Sequence, residues 1–186
     1  MRYLLWLTLS MAIPAMTTPT LAAEACPPIL NYKVQTLVEH QPVNLCNRYL
    51  GKVLLVVNTA SHCAYTRQYE GLEQLYSNFQ EKGLVVLGFP SNDFGKQEPG
   101  TEAEVKSFCS LTYDVKFPMF AKSHVRAGIA SPFYTSLATA AGQYPQWNFH
   151  KYLIGRDGGL IASYGSNTEP NSKRFLSDIR QALKEQ

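Results

Sequence analysis

The chain has no run of the ~20 apolar residues that a bilayer-spanning helix requires; its N-terminal apolar stretch, Tyr3 to Met16, is shorter and broken by Pro14. No two of its four cysteines, Cys26, Cys46, Cys63 and Cys109, stand in a C-x-x-C. The four histidines, His40, His62, His124 and His150, lie at no metal-ligand spacing, so no metal is expected. Charge is sparse, at 17% of residues with a net +3, and no Lys/Arg stripe interleaves with aromatics. That argues against a nucleic-acid partner. Repeats, low-complexity runs and linkers are missing too, which leaves one sizeable globular domain.

What is present begins with a leader. Arg2, the apolar stretch after it, and the small residues of "TLAAEA" have the pattern of a secretory signal peptide over residues 1–23, with cleavage after Ala22, Ala23 or Ala25. The expectation is a periplasmic or secreted domain over residues 24–186, not held in a membrane once the leader is removed. An exported protein keeps disulfides, and four cysteines allow three complete pairings.

Periodicity places the elements. Val53–Asn58 is a continuous apolar run of the kind buried on both faces of a sheet. Residues 68–82 carry Tyr69, Leu72, Leu75, Tyr76 and Phe79 at helical spacing with Gly83 as a stop, and Leu84–Phe89 is a second buried strand. Strand, helix, strand makes a βαβ unit with a parallel pair. Thr101 and Glu104 form a capping box opening a helix to about Ser110. Phe117–Phe120 reads as a short strand, Ser131–Ala141 as a helix, Phe149–Ile154 and Leu160–Tyr164 as strands around an Asp-Gly turn, and residues 171–184 as a closing helix. A βαβ half followed by a ββα half is an α/β, thioredoxin-like fold: a central mixed sheet flanked by helices. Tyr32–Val38 and Pro42–Leu45 add an N-terminal β-hairpin beside it. Cys26 and Cys46 flank that hairpin and are read as a structural disulfide, with two free thiols as the alternative.

Cys63, in "ASHCAYT", follows the first buried strand and precedes the helix opening near Gln68. Unpaired amides and the positive end of a helix macrodipole favour a thiolate there. From position alone, a reactive cysteine and a buried, inert one are equally good readings.

Four segments carry a resemblance that bears on this choice. "GKVLLVVNTASHCAYTRQYEGLEQLY", "GLVVLGFPSNDFGKQEPG", "FPMF" and "WNFHKYLIGRDG" are similar, in order and spacing, to the glutathione peroxidase family, over roughly Tyr32 to Leu183. The resemblance implies a thioredoxin fold and reduction of hydroperoxides at a peroxidatic Cys63, with Gln97, Trp147 and Asn148 completing a catalytic tetrad. The physical reading agrees. A thiolate attacking a peroxide needs neutral donors around it, and two amides and an indole N–H supply them without adding a competing nucleophile. Taken alone, Trp147 has a plain core reading and Asn148 a strand-start cap reading.

After attack, Cys63 is a sulfenic acid, which condenses with a second thiol. Cys109, in "KSFCSLTYDVKFP", resembles the resolving cysteine of family members that use thioredoxin; the bland alternative is an inert buried cysteine. A thioredoxin-like protein is therefore the expected reductant and glutathione the alternative. No prosthetic cofactor is implied. Some positions depart from the family pattern: Ser91 stands where many members have cysteine, Asp93 where glutamine is usual, His62 for a common lysine, and Ala64-Tyr65 for a common Gly-Phe. The span from Phe120 to Trp147 is too short for the loop through which tetrameric members associate, so a monomer is expected. Two other readings compete. A thiol–disulfide oxidoreductase would need a cysteine where Thr66 stands. A non-enzymatic redox-sensing or binding domain leaves Gln97, Trp147 and Asn148 without a purpose.

Overall fold

The computed structural model describes residues 25–185; the proposed signal peptide lies outside them. Two sheets form. Strands β1 (Lys33–Gln35) and β2 (Pro42–Asn44) make the small antiparallel hairpin expected from the sequence. The main sheet contains β3 (Val53–Thr59), β4 (Leu84–Pro90), β5 (Lys151–Ile154) and β6 (Leu160–Tyr164) in the order β4-β3-β5-β6. β3 runs parallel to β4 and antiparallel to β5, and β5 pairs antiparallel with β6, so the sheet is mixed.

Every residue of β3 is buried, because helices cover both faces of the sheet. The two-residue period sorts its side chains. Val53, Leu55 and Val57 pack with Tyr69, Leu72 and Leu75 of α2 (Gln68–Phe79), Val105 and Cys109 of α3 (Glu102–Tyr113), and Phe175 and Ile179 of α5 (Lys173–Lys184). Leu54 and Val56 face the other way, toward Leu45 and Tyr49 of α1 (Leu45–Tyr49) and Phe133, Tyr134 and Leu137 of α4 (Pro132–Ala141).

Five local features differ from the sequence reading. α1 is an unpredicted helix: the second hairpin strand stops at Asn44, whose side chain accepts the Asn47 amide at 2.9 Å and caps the turn. That short helix carries Cys46 to Cys26, and the two are joined in a disulfide with Cα atoms 5.9 Å apart. α3 runs to Tyr113 rather than Ser110, because Asp114 takes the left-handed C-cap conformation (φ +50°) in place of a glycine. Residues 117–120 form no strand. They make only isolated bridges, Met119 to Gly88 and Phe120 to Thr36, since Pro118 cannot donate to a ladder. Met119 sits so close over Gly88 that a Cβ there would collide with its sulfur. Finally, β5 begins at Lys151 rather than Phe149, because the chain turns a corner first, with Phe149 at φ +62°.

Candidate active site

β3 delivers the chain to the site at its C-terminal end. The turn that follows is held by Thr66, whose hydroxyl accepts the Cys63 amide at 2.9 Å and donates to the Ala60 carbonyl at 2.9 Å. The Thr66 amide returns a bond to the Cys63 carbonyl at 3.0 Å. In this closed turn the Tyr65 amide points at Cys63 Sγ, 3.5 Å away. The amides of Gln68, Tyr69 and Glu70 bond the carbonyls three residues earlier. The donor aimed at the sulfur thus comes from the turn ahead of α2, not from the helix's own first unpaired amides. A backbone N–H on a sulfur favours its anionic form. Cys63 is half-buried, open enough for a small reactant.

The second segment is the tight turn Phe94–Glu98. Gly95 and Lys96 are both left-handed (φ +61° and +53°), a conformation that L side chains adopt at a cost and that clusters at functional sites. The turn is tied to the cysteine turn by the His62 amide, which donates to the Gln97 carbonyl at 3.0 Å. The Gln97 side chain accepts from Asn148 Nδ2 at 3.0 Å. With Oε1 engaged, its own amide hydrogens have no protein acceptor among the described residues and are left to donate.

The third segment is the corner before β5. Trp147 is 39% exposed, its ring centroid 5.6 Å from that of Phe94, whereas Asn148 is fully buried. A residue not singled out in the sequence fixes this corner. Asn58, buried at the end of β3, donates from Nδ2 to the Trp147 carbonyl (3.1 Å), accepts the His150 amide on Oδ1 (3.1 Å), and accepts the Phe149 amide on its own carbonyl (2.7 Å). Three backbone groups of the strained corner are satisfied by one side chain and its backbone. The available signal was an asparagine ending an otherwise apolar run.

The four tetrad positions therefore lie on three segments stitched by hydrogen bonds: Cys63 to Gln97 through His62, Gln97 to Asn148 directly, and Trp147 beside them. Cys109 is not part of this unit. It is 2% exposed on α3, in the core beneath α2, and burial pushes its thiol up to about 11. Cys63 and Cys109 pack against the same apolar cluster without being bonded. Asp93, one of the departures noted above, bonds His124 at 2.7 Å and the amides of Val125 and Arg126 at 2.6 and 3.2 Å. Burial works against its ionisation, but these donors outweigh it and hold the carboxyl below its usual range. It anchors a loop. No group of three His, Cys, Asp or Glu among the described residues is placed to hold a metal.

A cysteine after the first buried strand of a four-stranded mixed sheet defines a thioredoxin-fold protein. A thiol:disulfide interchange protein of Chlorobium tepidum shares the fold at TM-score 0.63, over 87% of this chain and 99% of its own, at 16% identity. Other comparisons narrow this. The glutathione peroxidase family profile matches residues 29–138. A hydroperoxy fatty acid reductase of Synechocystis sp. is 43% identical over 143 residues, covering 72% of this chain and 83% of its own. A glutathione peroxidase-like peroxiredoxin of Schizosaccharomyces pombe is 45% identical over 137 residues, 72% of this chain and 85% of its own. The crystal structure of Trgpx in its apo form superposes at TM-score 0.67 and 36% identity, over 84% of this chain and 96% of that one. The chain belongs to the glutathione peroxidase family and is a peroxidase.

Proposed function

We propose that this enzyme reduces hydrogen peroxide and organic or lipid hydroperoxides by a two-cysteine cycle that begins on Cys63. The observation that carries the reading is the hydrogen-bonded unit in which the Cys63 turn, Gln97 and the Trp147–Asn148 corner are held together. The Cys63 thiolate attacks one peroxide oxygen. A sulfur–oxygen bond forms, the oxygen–oxygen bond breaks, and Cys63 becomes a sulfenic acid. The departing oxygen takes a proton and leaves as water or an alcohol. Neutral N–H donors on Gln97, Trp147 and Asn148 stabilise the charge that moves onto it. The exposure of Trp147 gives bulky substrates room, and a relative named as a hydroperoxy fatty acid reductase supports lipid hydroperoxides among them.

Cys109 then condenses with the sulfenic acid, and a thioredoxin-like dithiol protein reduces the resulting disulfide. Relatives named peroxiredoxins support a protein reductant over glutathione. The Cys26–Cys46 disulfide supports an oxidising compartment, in keeping with export through residues 1–23. The short span from Phe120 to Trp147 supports a monomer. The direct test is Cys63→Ser, which is expected to abolish peroxide consumption; unchanged turnover would overturn the reading.

A further inference from the structure

Four of the six buried side-chain oxygens that lack a hydrogen-bond partner among the described residues belong to one neighbourhood: Thr59 Oγ1, Ser61 Oγ, Tyr69 OH and Glu98 Oε2. Buried polar groups are nearly always satisfied, so four unpaired oxygens together call for an explanation. They lie between the two cysteines. Glu98 follows Gln97 and is 1% exposed, against Ser61 in the Cys63 turn. Tyr69, on α2 and fully buried, turns its hydroxyl toward the Thr59 hydroxyl and the Cys109 thiol on α3. The Glu98 charge is felt at both Tyr69 and Cys109. The other charged groups near Glu98 are Lys122, whose ammonium bonds the Glu98 and Gly100 carbonyls at 2.7 and 2.8 Å, and the exposed His62.

The chemistry of resolution needs such a group. Only the thiolate is an effective nucleophile toward oxidised sulfur. A Cys109 thiol held in the core cannot ionise by giving its proton to bulk water, and no histidine faces it. We propose that Glu98, acting through the Tyr69 hydroxyl, is the proton acceptor that converts Cys109 to its nucleophilic form for disulfide formation with Cys63. This rests on the reading of Cys109 as the resolving thiol.

The step balances without a further reactant. The Cys109 proton passes to Tyr69 OH as that hydroxyl gives its own to the Glu98 carboxylate. The Cys109 sulfur forms a bond to the Cys63 sulfur, and the Cys63 sulfur–oxygen bond breaks. The departing hydroxide takes the proton from Glu98 and leaves as water. Glu98 returns to a carboxylate, and the sulfenic acid and thiol have become a disulfide and water. Burial holds the Glu98 carboxyl above its usual range, which makes it a stronger base than an exposed glutamate.

The test is the first-order rate of Cys63–Cys109 disulfide formation after one equivalent of hydrogen peroxide, read by acid quench and non-reducing peptide mass. Glu98→Gln keeps the shape and removes the base. It is expected to slow this rate at least tenfold at pH 7. The pH profile should lose its rise through the Glu98 ionisation and climb only in the alkaline range where Cys109 ionises by itself. Glu98→Asp should restore part of the rate and the acid limb. An unaltered rate and profile in Glu98→Gln would overturn the proposal. If circular dichroism shows that this variant does not fold, Tyr69→Phe takes its place, expected to slow the same step at least fivefold, with an unchanged rate again decisive against it. Wild-type protein that forms no Cys63–Cys109 disulfide would instead overturn the assignment of Cys109. Wild-type protein that forms it no faster than the variants removes the role of Glu98 alone.

Discussion

The side-chain amide of Asn148 donates to Gln97 Oε1 at 3.0 Å, joining two residues 51 positions apart. The bond fixes which way the Gln97 amide faces: its oxygen is engaged, so the site receives its N–H groups. The two side chains then act as one donor unit, and the loss of either disorients the other.

Replacing either residue by alanine is therefore expected to lower the second-order rate of Cys63 oxidation by about 10²-fold, the usual effect of removing one positioned donor. Residues acting as a unit lose activity non-additively, so the Gln97→Ala/Asn148→Ala double variant should be little worse than either single one. Stopped-flow peroxide consumption reads all three rates. Losses that multiply would mean that the two amides work independently.

Asn58 sets the corner that carries Trp147 and Asn148. Asn58→Ala strands the Trp147 carbonyl and the His150 amide, both near the core. Orphaning buried polar groups of this kind costs about 2–3 kcal/mol, which for a domain of this size lowers Tm by roughly 5–10 °C. The left-handed Phe149 then has less to hold it, so the rate with peroxide should fall even where the variant is fully folded. Thermal denaturation together with single-turnover kinetics checks both. A variant as stable and as fast as the parent would remove Asn58 from the site's support.

The contrast between Asn58 and Cys63 shows what the residues alone reveal. β3, α2 and β4 follow from composition and period because burial on both faces leaves few other ways to place seven apolar residues in a row. The tetrad was visible because its residues are chemically distinctive and sit in ordered segments. The support for the tetrad was not. The hydroxyl of Thr66 and the amide of Asn58 act through contacts that the fold creates between distant or turn-forming positions. Likewise Asp114, rather than glycine, ends α3, and Asn44 caps a helix within what reads as a hairpin, since asparagine and aspartate suit strand ends, caps and left-handed turns alike. The Cys26–Cys46 pairing was readable from where the cysteines flank the hairpin, although the helix that presents Cys46 was not.

Stability should rise with pH on both sides of neutrality, because two bases are buried side by side. Lys151 is fully buried, its ammonium donating to Gln68 Oε1 at 2.6 Å and the Phe149 carbonyl at 2.7 Å, and burial lowers its pKa from 10.5 to about 7. His150 beside it falls from 6.5 to about 4, by burial first and then by the Lys151 charge. In both cases the unfolded chain keeps the proton to a higher pH than the folded one. Between the two pKa values the unfolded state binds more protons, so stability increases with pH. The His150 contribution is lost as pH falls from 6.5 toward 4, and the Lys151 contribution grows from about 7 upward. Above pH 9 the raised Cys109 acts in the opposite direction, so pH 7 to 9 is the clean window. Urea denaturation across it should show a rising midpoint in the parent and a flat one in Lys151→Met. Equal slopes would mean that Lys151 keeps its charge throughout.

Cys109 separates the two halves of the cycle. It is buried on α3, whereas Cys63 is half-open on the turn before α2. A disulfide requires Cα atoms within roughly 7 Å, and the helical turns around Cys109 must open to meet that limit. Since the first step needs only Cys63 and its donors, Cys109→Ser should consume one equivalent of peroxide at the parent's rate and then stop. Turnover with a thioredoxin-like dithiol protein is expected to fall at least ~100-fold, because such a reductant acts on a disulfide that the variant cannot form. A non-reducing peptide map of the peroxide-treated parent should contain Cys63 joined to Cys109 and Cys26 joined to Cys46. In Cys109→Ser, the Cys26–Cys46 peptide should remain and Cys63 should appear as a trapped sulfenic acid or its overoxidised products. Sustained cycling with the dithiol protein in that variant would show that the reductant takes the oxygen directly from Cys63, and Cys109 would then be a core residue only.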